Sequence, residues 1–74
     1  MEIASAFGGV IRELRSEAGL TQEQLGFEAD LRRTFISVLE LGQQQPTLTT
    51  ILKLAKALKL PASNIIELVE SRLN

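Results

Sequence analysis

The sequence predicts an all-α fold, a single five-helix domain spanning residues 1–74. Apolar residues recur at spacings of 3, 4 and 7, and no alternating run marks a strand. Capping residues open several of these runs, and Gly19, Gly42 and Pro61 stand at or just past the ends of three of them. The chain is 74 residues long, near the lower limit for one hydrophobic core without staples.

The first helix is expected over about residues 3–18, with Ile3, Phe7, Val10, Ile11, Leu14 and Ala18 on one stripe. Gly19 suits the left-handed position that ends a helix. Gly8-Gly9 should weaken this helix, at roughly 1 kcal/mol per glycine relative to alanine. The second helix is expected over about 22–29 and the third over about 32–41, with Gly42 as the stop. The polar run Gln43-Gln44-Gln45 leads to Pro46, which bars helix continuation. Thr47 then caps a fourth helix over about 48–58, with Leu48, Ile51, Leu54, Ala55 and Leu58 turned inward. Pro61 suits the first turn of a fifth helix over about 61–73.

Residues 21–41 carry the strongest local signal. Thr21 with Gln24 three residues on is the Thr-x-x-Gln form of the capping box. Asp30 stands where the chain must turn, and Asp tolerates a left-handed backbone better than most residues. Helices this short must cross closely, and Gly26 removes the side chain that would hold them apart. The pattern is a helix-turn-helix, whose usual task is to present its second helix to the DNA major groove.

Composition narrows the function. With no cysteine there can be no disulfide or thiolate metal site, and with no histidine the commonest general base and metal ligand is missing. No enzyme activity, metal or cofactor is expected. No apolar run approaches the ~20 residues of a membrane span, and no signal-peptide pattern opens the chain. A cytoplasmic protein is expected. The net charge is −1, and residues 21–45 set Arg32 and Arg33 against Glu23, Glu28, Asp30 and Glu40. That local balance is acidic, which argues against strong non-specific affinity for nucleic acid.

The run Phe7…Ile11-Arg12-Glu13-Leu14-Arg15…Ala18-Gly19-Leu20-Thr21-Gln22-Glu23-Gln24-Leu25 resembles the XRE-type helix-turn-helix family of phage repressors and Cro-like regulators. So do Phe35-Ile36-Ser37…Leu39-Glu40…Gly42…Pro46-Thr47-Leu48 and Leu52-Lys53-Leu54-Ala55-Lys56-Ala57-Leu58. The resemblance covers about residues 6–69 without a gap between Gly19 and Leu60. Free-standing members of similar size include controller proteins of restriction–modification systems and some antitoxins. The resemblance implies a sequence-specific, DNA-binding transcriptional regulator, usually a homodimer on a palindromic operator. The competing expectation is a protein-interaction module of the same fold with weak DNA affinity. No small-molecule ligand is expected.

By that resemblance Gln22 and the amides opening the second helix meet a phosphate, aided by the helix dipole; the alternative is a solvated polar residue. Arg32, Arg33, Thr34, Ser37 and Val38 fall on the outward face of the third helix, opposite Ile36 and Leu39. Family correspondence points Arg33, Thr34 and Val38 at base edges, where Arg33 can donate two hydrogen bonds to guanine. Arg32 departs from the family, which has a capping Ser, Thr or Asp at that place. Gln43 and Gln44, with Gln45, are either backbone contacts or an idle loop. The family pattern also pairs Arg15 with Glu40 as a structural ion pair, against a phosphate role for Arg15. In the fifth helix Ile65, Ile66, Val69 and Leu73 fill an arc of about 100°, with Leu68 about 60° outside it. The excess apolar width suggests a second copy, with Ile65, Leu68 and Val69 as the expected dimer contacts.

Overall fold

The structure, a computed structural model, describes residues 2–74. Five α-helices follow one another: α1 Ile3–Glu17, α2 Gln22–Ala29, α3 Arg33–Glu40, α4 Leu48–Leu58 and α5 Ala62–Leu73. Among the described residues there is no strand. Each boundary lies within a residue or two of its expected place. The differences are at the ends: Ala18, Arg32 and Pro61 flank their helices rather than joining them.

Local chemistry explains most of these ends. Thr21 Oγ1 accepts from the Gln24 amide at 3.0 Å, and Gln24 Oε1 accepts from the Thr21 amide at 2.9 Å, closing the capping box. Thr47 Oγ1 accepts from the Thr50 amide at 3.1 Å at the start of α4. Gly19 and Asp30 take the left-handed conformation at φ 73° and 57°. Lys59 does the same at φ 60°, ending α4 at a residue that carries no sequence signal for that geometry.

The core is one cluster. Phe7, Val10 and Ile11 of α1 meet Leu25 and Ala29 of α2, Ile36 and Leu39 of α3, Leu54, Ala55 and Leu58 of α4, and Ile65 and Val69 of α5. Helix α1 packs on α3 and α5, and α2 packs on α3 and α4. Two large apolar positions of the expected stripes fall outside it, and so does Ala18, exposed just past the end of α1. Leu48, expected inward, is 70% exposed, and Ile3 is exposed at the free end of α1. Both sit in first turns, where the helix has run past the body it packs on.

Gly8 and Gly26 set the distance between helices. A Cβ on Gly26 would stand 2.6 Å from the Leu31 carbonyl oxygen, so the glycine lets the turn itself, rather than the body of α3, close against α2. A Cβ on Gly8 would collide with the Leu39 carbonyl oxygen and lie 2.8 Å from that of Glu40. What reads as a weak point of α1 is the seat of the C-terminal end of α3.

Candidate DNA-binding surface

The recognition face is built on α3, whose inward residues Ile36 and Leu39 are fully buried. That anchoring turns Arg33 and Thr34 outward, where both are exposed, with Ser37 and Val38 half-buried beside them. Val38 is therefore less of an unsupported apolar side chain than the sequence suggests, since the fold covers part of it. Arg32 caps the backbone at α3 without any side-chain cap bond, and its guanidinium is exposed. A conventional cap is worth about 1 kcal/mol, so stability at this end is given up while a cation is kept. Gln43, Gln44 and Gln45 follow as an exposed loop.

The other end of α3 is tied down. Arg15 Nε donates to Glu40 Oε2 at 2.7 Å and Nη2 donates to Oε1 at 3.1 Å, a two-pronged pair. Arg15 Nη1 donates to the Leu20 carbonyl at 2.9 Å, and Gln22 Nε2 donates to Glu40 Oε1 at 3.1 Å. The Glu40 side chain is only 4% exposed. One carboxylate thus joins α1, α2 and α3. The hydrogen bond that Arg15 donates to Glu40 raises the Arg15 pKa above its already high value, with burial opposing it and the charge of Glu40 adding to the rise. Gln22, expected at a phosphate, donates one side-chain N–H to Glu40, so its backbone amide and the second N–H of Nε2 are what a phosphate would meet.

Arg12 joins this surface from outside the helix-turn-helix. It lines one recess with Arg15, Gln22, Ser37, Glu40 and Leu41, so three of these elements meet beside the recognition face. Its guanidinium is exposed and has no carboxylate partner among the described residues, whereas Arg72 bridges Glu13 and Lys53 lies 4.0 Å from Asp30. The sequence offers Arg12, with Lys53 and Arg72, only as a distant candidate for a phosphate contact. Its approach to α2 and α3 depends on how α1 docks. Counting charge by sequence segment also misses that Glu40 is neutralised by Arg15.

The expected dimer residues need correction. Ile65 is fully buried and Val69 is 6% exposed, both within the protomer's own core, so neither can supply an intermolecular contact. Leu68 is 43% exposed and lines an open recess against α1 with Val10, Leu14 and Arg72, so of the three expected contacts it alone stays available to a partner. Ile66 and Leu73, seven residues apart, occupy the flank of α5 turned away from α1, and both are exposed. Leu48 and Leu52, one turn apart on α4, are exposed on the flank opposite the Lys53–Asp30 contact to α2. Helix α4, which carries the second of these flanks, packs on α5, which carries the first.

Comparison with known proteins fits this geometry. The helix-turn-helix family model matches residues 11–65, which run from the middle of α1 into the first turn of α5. The chain belongs to the XRE-type helix-turn-helix family. Within that family, control protein C.BamHI of Bacillus amyloliquefaciens is 39% identical over 62 residues, covering 82% of this chain and 76% of that protein. Control protein C.SmaI of Serratia marcescens is 38% identical over 58 residues, covering 78% and 69%. The crystal structure of the restriction-modification controller protein C.AhdI from Aeromonas hydrophila superposes with a TM-score of 0.82 at 40% identity, covering 84% of this chain and 94% of that one. Among the described residues of this XRE-type chain no helix is long and apolar enough to cross a membrane. Among the described residues no group of three or more His, Cys, Asp or Glu could hold a metal.

Proposed function

We propose that the chain is a DNA-binding transcriptional regulator of the restriction–modification controller kind, acting as a two-fold homodimer on a pseudo-palindromic operator. The observation that carries this reading is the polarity of α3. Its buried end is clamped by Arg15, Glu40 and Gln22 with Arg12 beside the clamp, and its open end offers Arg33 and Thr34 with a cation at Arg32 next to them. Arg33 supplies base readout through guanine O6 and N7. Thr34, Ser37 and Val38 form the rest of the groove-facing surface, and Gln22, Gln43 and Gln44 hold backbone phosphates. Catalysis has no part in this reading. Its setting is the cytoplasm, where the DNA is.

The dimer in this proposal forms across the α4–α5 junction, through Ile66, Leu73, Leu48 and Leu52. Its two-fold axis then sets the recognition helices about 34 Å apart, one turn of B-DNA. Sedimentation of an Ile66→Asp variant tests the assembly. A folded monomer is expected, with operator affinity lower by roughly a hundredfold because the second half-site no longer adds its binding. An Ile66→Asp protein that stays dimeric, with unchanged operator binding, would contradict this interface.

A further inference from the structure

Gly8 and Gly9 are adjacent on α1, and each seats a different helix. Gly8 lies under the carboxyl end of α3, and Gly9 lies under Arg72 in the last turn of α5. A Cβ on Gly9 would stand 2.6 Å from Arg72 Nη1 and 3.3 Å from its Cζ, so the guanidinium rests on bare helix backbone. The same guanidinium donates to Glu13, one turn further along α1. Arg72 also lines the recess with Val10, Leu14 and Leu68. The burial of α5 shows what this contact is for. Ile65 and Val69 hold its earlier turns in the core. Of residues 70–73, Arg72 is the one that is not exposed, so the tie of that turn to the body rests on it. Leu73, in the same turn, belongs to the exposed flank of α5. An exposed ion pair adds little to global stability, but a helix turn with no other anchor opens at low cost.

We infer that Arg72, seated on Gly9 and bound to Glu13, is a positioning residue that pins the last turn of α5 and thereby sets the half-site spacing the dimer accepts. The inference rests on the dimeric, operator-binding reading above. Consecutive residues of α1 carry the end of α3 and the end of α5, so the reading element and the dimer flank share one rigid reference. One extra base pair between half-sites shifts them by about 3.4 Å along the duplex and turns them by about 35°. A dimer whose α5 ends are pinned resists that change. A dimer held by Ile66 and the α4 flank alone follows it.

Duplexes that the parent chain selects from a random-sequence pool, remade with the spacer one base pair shorter or longer, test it. The parent should lose roughly tenfold or more on either change, as the second half-site is thrown out of reach, and Arg72→Ala and Gly9→Ala should each lose no more than about threefold. Base preferences within a half-site and helix content should match the parent. Combining the two substitutions should relax the spacing no further than either alone, since both remove one contact. Gly9→Ala should also stabilise α1 through helix propensity while it relaxes the spacing, a split that a purely stabilising Arg72 would not produce. Amide exchange at residues 70–73 should be faster in Arg72→Ala than in the parent. Variants that keep the parent's spacing preference, or unchanged exchange at residues 70–73, would overturn the inference alone. A parent that enriches no paired half-sites would overturn the regulator reading and the inference with it.

Discussion

The two ends of α3 are built on opposite principles. At the carboxyl end, Leu39 is buried, the backbone rests on Gly8, and Glu40 accepts from both Arg15 and Gln22. At the amino end, Arg32 makes no side-chain cap bond, and Arg33 and Thr34 point into solvent. A reading surface must be held rigidly yet leave its donors unspent. The helix does both by placing all its internal hydrogen-bonding side chains at one end. Substitutions at the two ends should therefore fail differently, one in stability and the other in recognition.

The largest effect is expected at the clamped end. Removing one member of a buried pair strands the other charge, at a cost of about 3–5 kcal/mol. Arg15 keeps some solvent contact, so the lower part of that range applies to Glu40→Ala and Arg15→Ala. Thermal melts should show a large fall for each single variant and a double variant losing less than their sum. Small, additive shifts would make the pair a surface contact and remove the clamp from the comparison.

A smaller loss, in recognition alone, is expected at the open end. Arg33→Ala should weaken operator binding by about 1–3 kcal/mol and relax choice at one base pair, with the melting temperature unchanged. Equal losses on operator and unrelated duplexes would reduce Arg33 to a backbone contact. Smallest of all is Arg12, which should act through charge only. Each phosphate neutralised contributes about −0.9 to the slope of log K against log salt. A dimer with two or three cationic contacts per half-site should show a slope of roughly −4 to −6, and Arg12→Ala should make it shallower by about 2. An unchanged slope would place Arg12 outside the interface.

What the sequence makes legible follows the same division between local and tertiary chemistry. The capping box at Thr21, the turn at Asp30, the stops at Gly19 and Gly42 and the outward set on α3 all depend on neighbours within a few residues. Gly8, by contrast, reads as a helix-weakening residue until α3 is laid on it. The apolar arc of α5 was wide enough to announce a partner, but periodicity cannot say which part the protomer keeps for itself. The core takes Ile65 and Val69 and leaves Ile66, Leu68 and Leu73. Leu48 inverts for the same reason, because a helical stripe continues past the point where the body beneath it ends. Arg12 was visible as a cation and invisible as a groove-side one, since its place depends on the docking of α1 against α2 and α3.

Selection of bound duplexes from a random-sequence pool tests the central claim most directly, that α3 is a base-reading element presented twice. The account predicts enrichment of a pseudo-palindrome whose half-sites lie about one helical turn apart, with a guanine in each half-site that loses its preference in the Arg33→Ala protein. Failure to enrich any sequence, with the folded chain binding all duplexes alike or none, would contradict it and leave the protein-interaction reading of this fold in its place.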